Sequence, residues 1–115
     1  MSPRSPVFGV RAQAVERAHV VAPRGELDLF TVQEVEAALR ERSEPCERVV
    51  LDLRAVTFLD TSGMRLVVEA VHELDRAGVP FAVVRGGPEV QRLFNLARLD
   101  DRLPFFDELD AALAA

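Results

Sequence analysis

In one segment of the sequence, Asp60-Thr61-Ser62-Gly63, two hydroxyl side chains stand next to a carboxylate. A short run of branched apolar residues, typical of a buried strand, precedes this segment, and a stretch with helical periodicity follows it. Backbone N–H groups in the first turn of a helix have no intrahelical partners, and the helix dipole is positive there. Such a position accepts an added anion, so two hydroxyls are presented where a phosphate could sit. We interpret this segment as the working site of the protein.

Three roles are open to the carboxylate of Asp60. Aspartic proteases carry an Asp-Thr/Ser-Gly triplet, but this chain inserts one residue, and its segment opens a helix. The phospho-accepting aspartate of response-regulator receiver domains works beside a lysine, and this chain contains none. Asp60 is therefore predicted to shape the loop through an Asx-type hydrogen bond. Thr61 and Ser62 belong to residue types that often serve as plain N-caps, and a cap and a phosphate acceptor can coexist.

Asp28 and the pair Gly86-Gly87 are further candidates, because both follow predicted strands. Asp28 either closes the turn before the first helix or contacts a partner. The two glycines either form a turn or cradle a phosphate at the start of the third helix, as a small nucleotide-binding enzyme would require. His19 and His72 have no second nitrogen or sulfur ligand at metal spacing, so both are predicted to be structural, and no metal is expected.

All 14 basic residues are arginine, and the absence of lysine excludes two kinds of active site. A P-loop needs its lysine on the phosphates, and a Schiff-base enzyme needs the amine. Ser62 also lacks the Gly-x-Ser-x-Gly elbow of many serine hydrolases. The sequence therefore assigns no catalytic residue and no cofactor, and it predicts a protein that is not an enzyme.

Length and composition predict a single soluble domain. With 115 residues and 49% apolar residues the chain can build one core, so residues 1–6 are expected to be a short flexible tail and residues 7–115 one domain. The net charge of −5 argues against nucleic-acid binding. No apolar stretch is long enough for membrane insertion, and the single cysteine, Cys46, cannot form an internal disulfide. A cytoplasmic protein with protein partners is the expectation.

Hydrophobic periodicity and turn signals divide the chain into strands and helices. Thr31 and Glu34 are predicted to form a capping box, Pro88 to occupy the first position of the third helix, and Asp107 to cap the last. The predicted strands cover 7–13, 19–22, 49–53, 79–85 and 103–106, and the predicted helices cover 32–42, 64 to about 77, 88–97 and a short terminal segment after 107.

The order of these elements predicts an α/β fold. The first two strands, joined by a turn at Glu16-Arg17, form an antiparallel hairpin, and the alternation that follows produces parallel β-α-β units. We expect a mixed sheet of four or five strands with about four helices. Asp28, residues 60–63 and Gly86-Gly87 then meet at the edge where the parallel strands end, which is where sites in such sheets usually lie.

The helix after Gly63 carries apolar residues over a wide arc. Met64, Val67, Val68, Val71 and Leu74 share one face at helical spacing, so this face is predicted to pack on the core. Leu66 and Ala70 project from another side. They form either an exposed apolar patch for a partner or a peripheral part of the core.

Four blocks of the sequence resemble the STAS domain family, and within it the bacterial anti-sigma factor antagonists. The similarity covers nearly the whole chain, with the blocks in the family's order and spacing. They are Gly25-Glu26-Leu27-Asp28, Val50-Leu51-Asp52-Leu53, Phe58-Leu59-Asp60-Thr61-Ser62-Gly63-Met64 and Val90-Gln91-Arg92-Leu93-Phe94. The resemblance implies a single STAS-like domain that takes part in partner switching and transcription regulation.

In that family, a partner that is both anti-sigma factor and Ser/Thr kinase phosphorylates the first hydroxyl residue after the aspartate. Carried over, the resemblance implies phosphorylation at Thr61, with Ser62 as the alternative. The kinase binds the ATP, and a phosphatase would reverse the modification. The unphosphorylated form would bind the anti-sigma factor and release a sigma factor. The partner-binding residues implied in this way are Asp28, Asp60, Thr61, Ser62, Gly63, Met64 and Leu66.

A second hypothesis keeps the fold and drops the phosphate cycle. The same loop would then dock a partner in a STAS scaffold, or in an accessory subunit of a lipid transporter or sensory complex. A neighbouring gene for a kinase of the histidine-kinase-like ATPase class, or for a transporter, would discriminate between the two hypotheses.

Overall fold

A computed structural model describes residues 8–42 and 46–115. The predicted tail at 1–6 and the first residue of the first predicted strand lie outside these residues, and so do residues 43–45, which follow the first predicted helix. Within them the structure is a mixed α/β domain with an antiparallel hairpin, a six-stranded sheet and four helices, which confirms the predicted fold class. None of the described helices has the length and apolar character needed to cross a bilayer.

The opening hairpin consists of β1 (Gly9–Val15) and β2 (Ala18–Leu27). Its turn residues Glu16 and Arg17 have φ of 49° and 70°, values that suit the two central residues of a tight hairpin turn. The second strand is much longer than the predicted 19–22, because it continues through Gly25 to Leu27. Gly25 has φ of 91°, and β2 changes its parallel neighbour at this point.

The rest of the sheet is parallel. It consists of β3 (Arg48–Asp52), β4 (Val56–Leu59), β5 (Phe81–Val84) and β6 (Phe105–Phe106). The order is β1-β2-β3-β5-β6, and β4 pairs with the last residues of β2. The sheet therefore has six strands rather than four or five. Strand β4 was not predicted from the sequence, because its four residues are too few to establish a period.

Four helices cover the two faces of the sheet. They are α1 (Val32–Arg40), α2 (Thr61–Arg76), α3 (Pro88–Leu96) and α4 (Leu109–Ala114). Alternate residues of β3 enter different cores: Val49 and Leu51 pack with α1, α2 and α3, whereas Val50 packs with α4. The larger core therefore lies on the face that carries the three longer helices.

The predicted helix caps are confirmed only in part. Thr31 is the N-cap residue of α1 as predicted, but its side chain makes no capping hydrogen bond, because the hydroxyl is engaged by the preceding loop. Asp107 does not cap α4, and the N-cap of that helix is Glu108. The carboxylate of Asp107 instead accepts a hydrogen bond from Arg85 Nε at 3.0 Å. In both cases a tertiary or loop contact competes with the local bond that the sequence pattern favoured. Pro88 occupies the first turn of α3 as predicted.

The buried face of α2 differs from the predicted one. Its buried residues are Gly63, Leu66, Val67, Ala70 and Leu74, whereas Met64, Val68 and Val71 are half-buried. Leu66 and Ala70 are therefore core residues and form no exposed patch. The apolar arc of this helix is wider than the surface that the sheet and α1 cover, so the pattern alone could not fix the centre of the buried face.

Candidate functional site

The predicted working site is the junction between β4 and α2. Asp60 is the N-cap of α2, with extended φ and ψ of −101° and −172°, and its Oδ1 accepts a hydrogen bond from Gly63 N at 3.1 Å. The loop-shaping role predicted for Asp60 is thus confirmed. Thr61 and Ser62 are the first two helical residues, so neither is the N-cap.

Replacing Asp60 with alanine should cost about 1 kcal/mol of folding stability, because it removes the side-chain acceptor for Gly63 N. Asp60→Asn keeps an acceptor oxygen and is the matched control. Its loss of folding stability should be no more than a few tenths of the loss in the alanine variant. Urea denaturation measures both differences. Equal stability of the alanine variant and the wild type would show that the cap contributes nothing.

The two hydroxyls differ in their access to solvent. Thr61 is exposed, whereas Ser62 is half-buried. Within residues 8–42 and 46–115, neither side chain makes a hydrogen bond that would occupy its oxygen. Thr61 therefore presents a free hydroxyl at the positive end of a 16-residue helix.

Asp28 lies beside this junction, because the amide of Asp60 donates to Leu27 O at 3.3 Å. Asp28 Oδ1 accepts from Phe30 N at 3.0 Å, and Thr31 Oγ1 accepts from Asp28 N at 2.9 Å while donating to Glu26 O at 2.8 Å. The amide of Thr31 also donates to Asp28 O. Asp28 thus fixes the loop before α1. Because Asp28 itself is only half-buried, part of it remains accessible at the site.

A third carboxylate at this edge of the sheet, that of Asp52 at the end of β3, is buried and already paired. Its oxygens accept from Arg54 N at 3.1 Å, Nε at 3.0 Å and Nη2 at 2.8 Å. These hydrogen bonds and the carboxylate charge raise the pKa of Arg54. Asp52 is therefore a structural carboxylate that closes its own turn.

The loop at Gly86-Gly87 ends at the same edge, but its geometry favours the turn interpretation. Gly86 N donates to the buried Gln91 Oε1 at 2.9 Å, and Gln91 Nε2 donates to Asp100 Oδ1 at 3.1 Å. The amide that a phosphate cradle would use is therefore already bonded within the chain.

The two histidines lie apart from the site loop. His19 is buried, with Nε2 2.7 Å from Ala38 O in α1, which fits the structural role predicted for it. His72 is exposed on α2. In the part of the chain that the structure describes, no three side chains of the His, Cys, Asp or Glu types are grouped to hold a metal ion.

The structure brings together four of the seven residues predicted to bind a partner: Asp28, Asp60, Thr61 and Ser62. Of the remaining three, Met64 is half-buried like Asp28, Asp60 and Ser62, whereas Gly63 and Leu66 are buried in the domain. The two buried residues support the surface from below.

Two residues that the sequence analysis passed over stand out at this site. Leu29 and Phe30 directly follow Asp28 and expose 67% and 57% of their surfaces. The available signal was a pair of large apolar residues between a turn aspartate and a helix start. Such residues are usually assigned to a core.

A family model described as STAS domain matches residues 10–112. The chain belongs to the STAS domain family. This confirms the family resemblance of the four sequence blocks, which include the Asp28 loop and the junction at residues 60–63.

Two relatives of this chain and one solved structure with a similar fold are named anti-sigma factor antagonists. The chain is 30% identical over 90 residues to the anti-sigma F factor antagonist of Paenibacillus polymyxa, covering 76% of this chain and 77% of the relative. It is 32% identical over 95 residues to the anti-sigma-F factor antagonist RsfB of Mycobacterium tuberculosis, covering 82% and 77%. Its fold is similar to the crystal structure of an anti-sigma factor antagonist from Mycobacterium paratuberculosis, with a TM-score of 0.80, 28% identity and 96% of each chain covered.

Proposed function

We propose that this STAS protein is an anti-sigma factor antagonist whose binding is switched off by phosphorylation at Thr61. In the unphosphorylated form it binds an anti-sigma factor that is also a Ser/Thr kinase, and the bound sigma factor is released. The observation that carries this proposal is the exposed, unbonded hydroxyl of Thr61 at the start of α2, beside the loop of Asp28. The names of the relatives support the choice of partner.

Exposure favours Thr61 over Ser62 as the acceptor. A kinase must place the hydroxyl in line with the γ-phosphate of ATP, so the acceptor side chain has to reach into the kinase site. Thr61 is exposed, whereas Ser62 is half-buried. This chain supplies the hydroxyl only, and the kinase supplies ATP, Mg²⁺ and the catalytic base.

The fold tolerates the phosphate, and the interface does not. Phosphorylation adds about −1.5 to −2 charges at the N-terminus of α2, where the helix dipole favours negative charge. In a complex, the same group must be desolvated, needs space and is repelled by any facing carboxylate. A penalty of about 3 kcal/mol would weaken binding by roughly a hundredfold without any refolding.

The proposed docking surface consists of Asp28, Asp60, Thr61 and Ser62, with Met64 at its margin. Its shape depends on one hydrogen bond that joins the two loops and on one within the segment at residues 60–63. Asp60 N donates to Leu27 O, and Asp60 Oδ1 accepts from Gly63 N. These bonds are independent of Thr61, so the surface keeps its shape when Thr61 is modified.

Phosphorylation by the kinase of the source organism tests the site assignment. The purified chain is incubated with that kinase and ATP, and intact-mass and peptide mass spectrometry locate the phosphate. We expect one phosphate on the wild type, none on Thr61→Ala and one on Ser62→Ala.

Thr57→Ala is the matched control, because Thr57 is also an exposed threonine, on the neighbouring strand β4. It should be phosphorylated like the wild type. Undiminished phosphate uptake by the double variant Thr61→Ala/Ser62→Ala would refute the assignment. An anti-sigma factor that binds the chain tightly but never phosphorylates it would favour a scaffold without a phosphate cycle.

A further inference from the structure

Four large apolar side chains are strongly exposed among the described residues: Leu29 at 67%, Phe30 at 57%, Phe58 at 50% and Leu96 at 72%. Single exposed apolar residues are ordinary on protein surfaces. Leu29 and Phe30 differ from the others because they are adjacent and lie in the loop that carries Asp28. Exposed apolar groups that stand together more often mark an interaction site.

Hydrogen bonds hold the backbone of the loop that carries these two side chains. Phe30 N donates to Asp28 Oδ1 at 3.0 Å, Asp28 N donates to Thr31 Oγ1 at 2.9 Å, and Thr31 Oγ1 donates to Glu26 O at 2.8 Å. The amides of Thr31 and Val32 both donate to Asp28 O at 3.0 Å. A pre-ordered apolar group loses less entropy when it binds than a mobile one, so the loop presents its apolar pair at a reduced cost.

We propose that Leu29 and Phe30 are the apolar anchor of the docking surface and insert into an apolar pocket of the anti-sigma factor. This inference rests on the proposed function and names the part of the surface that provides most of its affinity. Buried apolar anchors of this kind dominate the binding energy of many interfaces.

The acidic residues near the anchor indicate the charge that the rim of the partner's pocket should carry. Asp28 is half-buried beside the anchor, Glu26 is exposed near the end of β2, and the chain has a net charge of −5. A pocket with an apolar floor and a basic rim complements this arrangement. The association rate should therefore fall as salt is added, because complementary charge steers the encounter.

The position of the anchor also explains how a phosphate on Thr61 would block binding of the partner. Thr61 follows Asp60, whose amide is bonded to Leu27 O, two residues before Leu29. A hydrated phosphate on Thr61 would therefore lie next to the loop that carries the anchor. Its bulk would hold the partner away, so that the apolar pair could not enter its pocket.

Calorimetry with the purified anti-sigma factor of the source organism tests this inference. The double variant Leu29→Ala/Phe30→Ala should bind about 30-fold more weakly than the wild type, because most of the apolar area that binding would bury is removed. Leu96→Ala is the matched control, since Leu96 is equally exposed but lies at the end of α3. The dissociation constant of Leu96→Ala should lie within about twofold of the wild-type value. Both variants should keep the wild-type melting temperature, because the side chains they remove are exposed.

The outcomes separate this inference from the function on which it rests. If the wild type binds, Thr61→Glu weakens binding and the double variant binds like Leu96→Ala, the anchor is wrong and the proposed function survives. If the wild type does not bind the anti-sigma factor, both are overturned. If the wild type is a dimer in solution and the double variant is a monomer, the apolar pair serves self-association, which also overturns the anchor.

Discussion

Thr61→Glu is expected to weaken binding to the anti-sigma factor by at least about tenfold, and a phosphate on Thr61 by about a hundredfold. The glutamate brings one negative charge to the first helical position of α2, and the phosphate brings nearly two and more bulk. Both groups must be desolvated in the complex. Titration calorimetry gives the dissociation constants directly.

The stability of the same variant should not fall. Thr61 is exposed, and a negative charge at a helix N-terminus stabilises the helix by about 0.3–1 kcal/mol at low ionic strength. A loss of affinity at unchanged or raised melting temperature therefore indicates a blocked surface. A comparable fall in stability would instead indicate that the substitution damages the fold.

Thr57→Glu provides the charge-matched control for this experiment. Thr57 is an exposed residue of β4, three residues before the N-cap Asp60. The substitution changes the net charge by the same amount at a position outside the proposed docking surface. It should leave the affinity within about twofold of the wild type, because long-range charge effects are largely screened at physiological salt. An equal loss in both variants would mean that net charge, and no local switch, controls binding.

Gly63→Ala is expected to lower the free energy of unfolding by about 2 kcal/mol, within the range for overpacked sites. A Cβ on Gly63 would lie 2.7 Å from Leu27 O, 3.0 Å from Leu59 Cγ and 3.1 Å from Leu27 Cγ. The nearest of these atoms is backbone, so α2 would have to move away from β2. In an ordinary helical position the same substitution stabilises by up to about 1 kcal/mol, so the sign of the effect is diagnostic.

Gly87→Ala is the control for the stability measurement. A Cβ at Gly87 would meet nothing within 4 Å, and its φ of −69° suits any residue. This variant should lose no more than about 0.5 kcal/mol, because the restricted unfolded chain offsets most of the cost of alanine at the N-cap of α3. Urea denaturation of both variants measures the difference. A Gly63→Ala protein that matches the stability of Gly87→Ala would contradict the close contact of α2 with β2.

The sequence predicted those parts of the fold that local chemistry determines. The structure confirms the predicted hairpin turn at Glu16 and Arg17, the predicted start of α3 at Pro88, and the parallel units predicted from the alternation of strands and helices. The sequence could not predict β4, because a four-residue strand with two buried residues has no recognisable period. It also could not predict that β2 changes partner at Gly25, since this depends on strands that are distant in sequence.

Part of the geometry of the candidate site also followed from the sequence. Residue type and positions at strand ends selected Asp60, Thr61 and Asp28, and the structure places these residues close together, while their roles stay predictions. Leu66 was left open between an exposed patch and the core, because the apolar arc of α2 is wider than its buried face. The exposure of Leu29 and Phe30 was not predicted, because an apolar residue in a sequence is by default assigned to the core.

The most direct test compares the unmodified protein with the protein phosphorylated at Thr61, both verified by mass spectrometry, for affinity to the same purified anti-sigma factor. The account predicts that the dissociation constant rises by about a hundredfold on phosphorylation, while the circular dichroism spectrum stays unchanged. Equal affinity of the two forms would contradict the central claim that charge gained at the start of α2 switches the docking surface off.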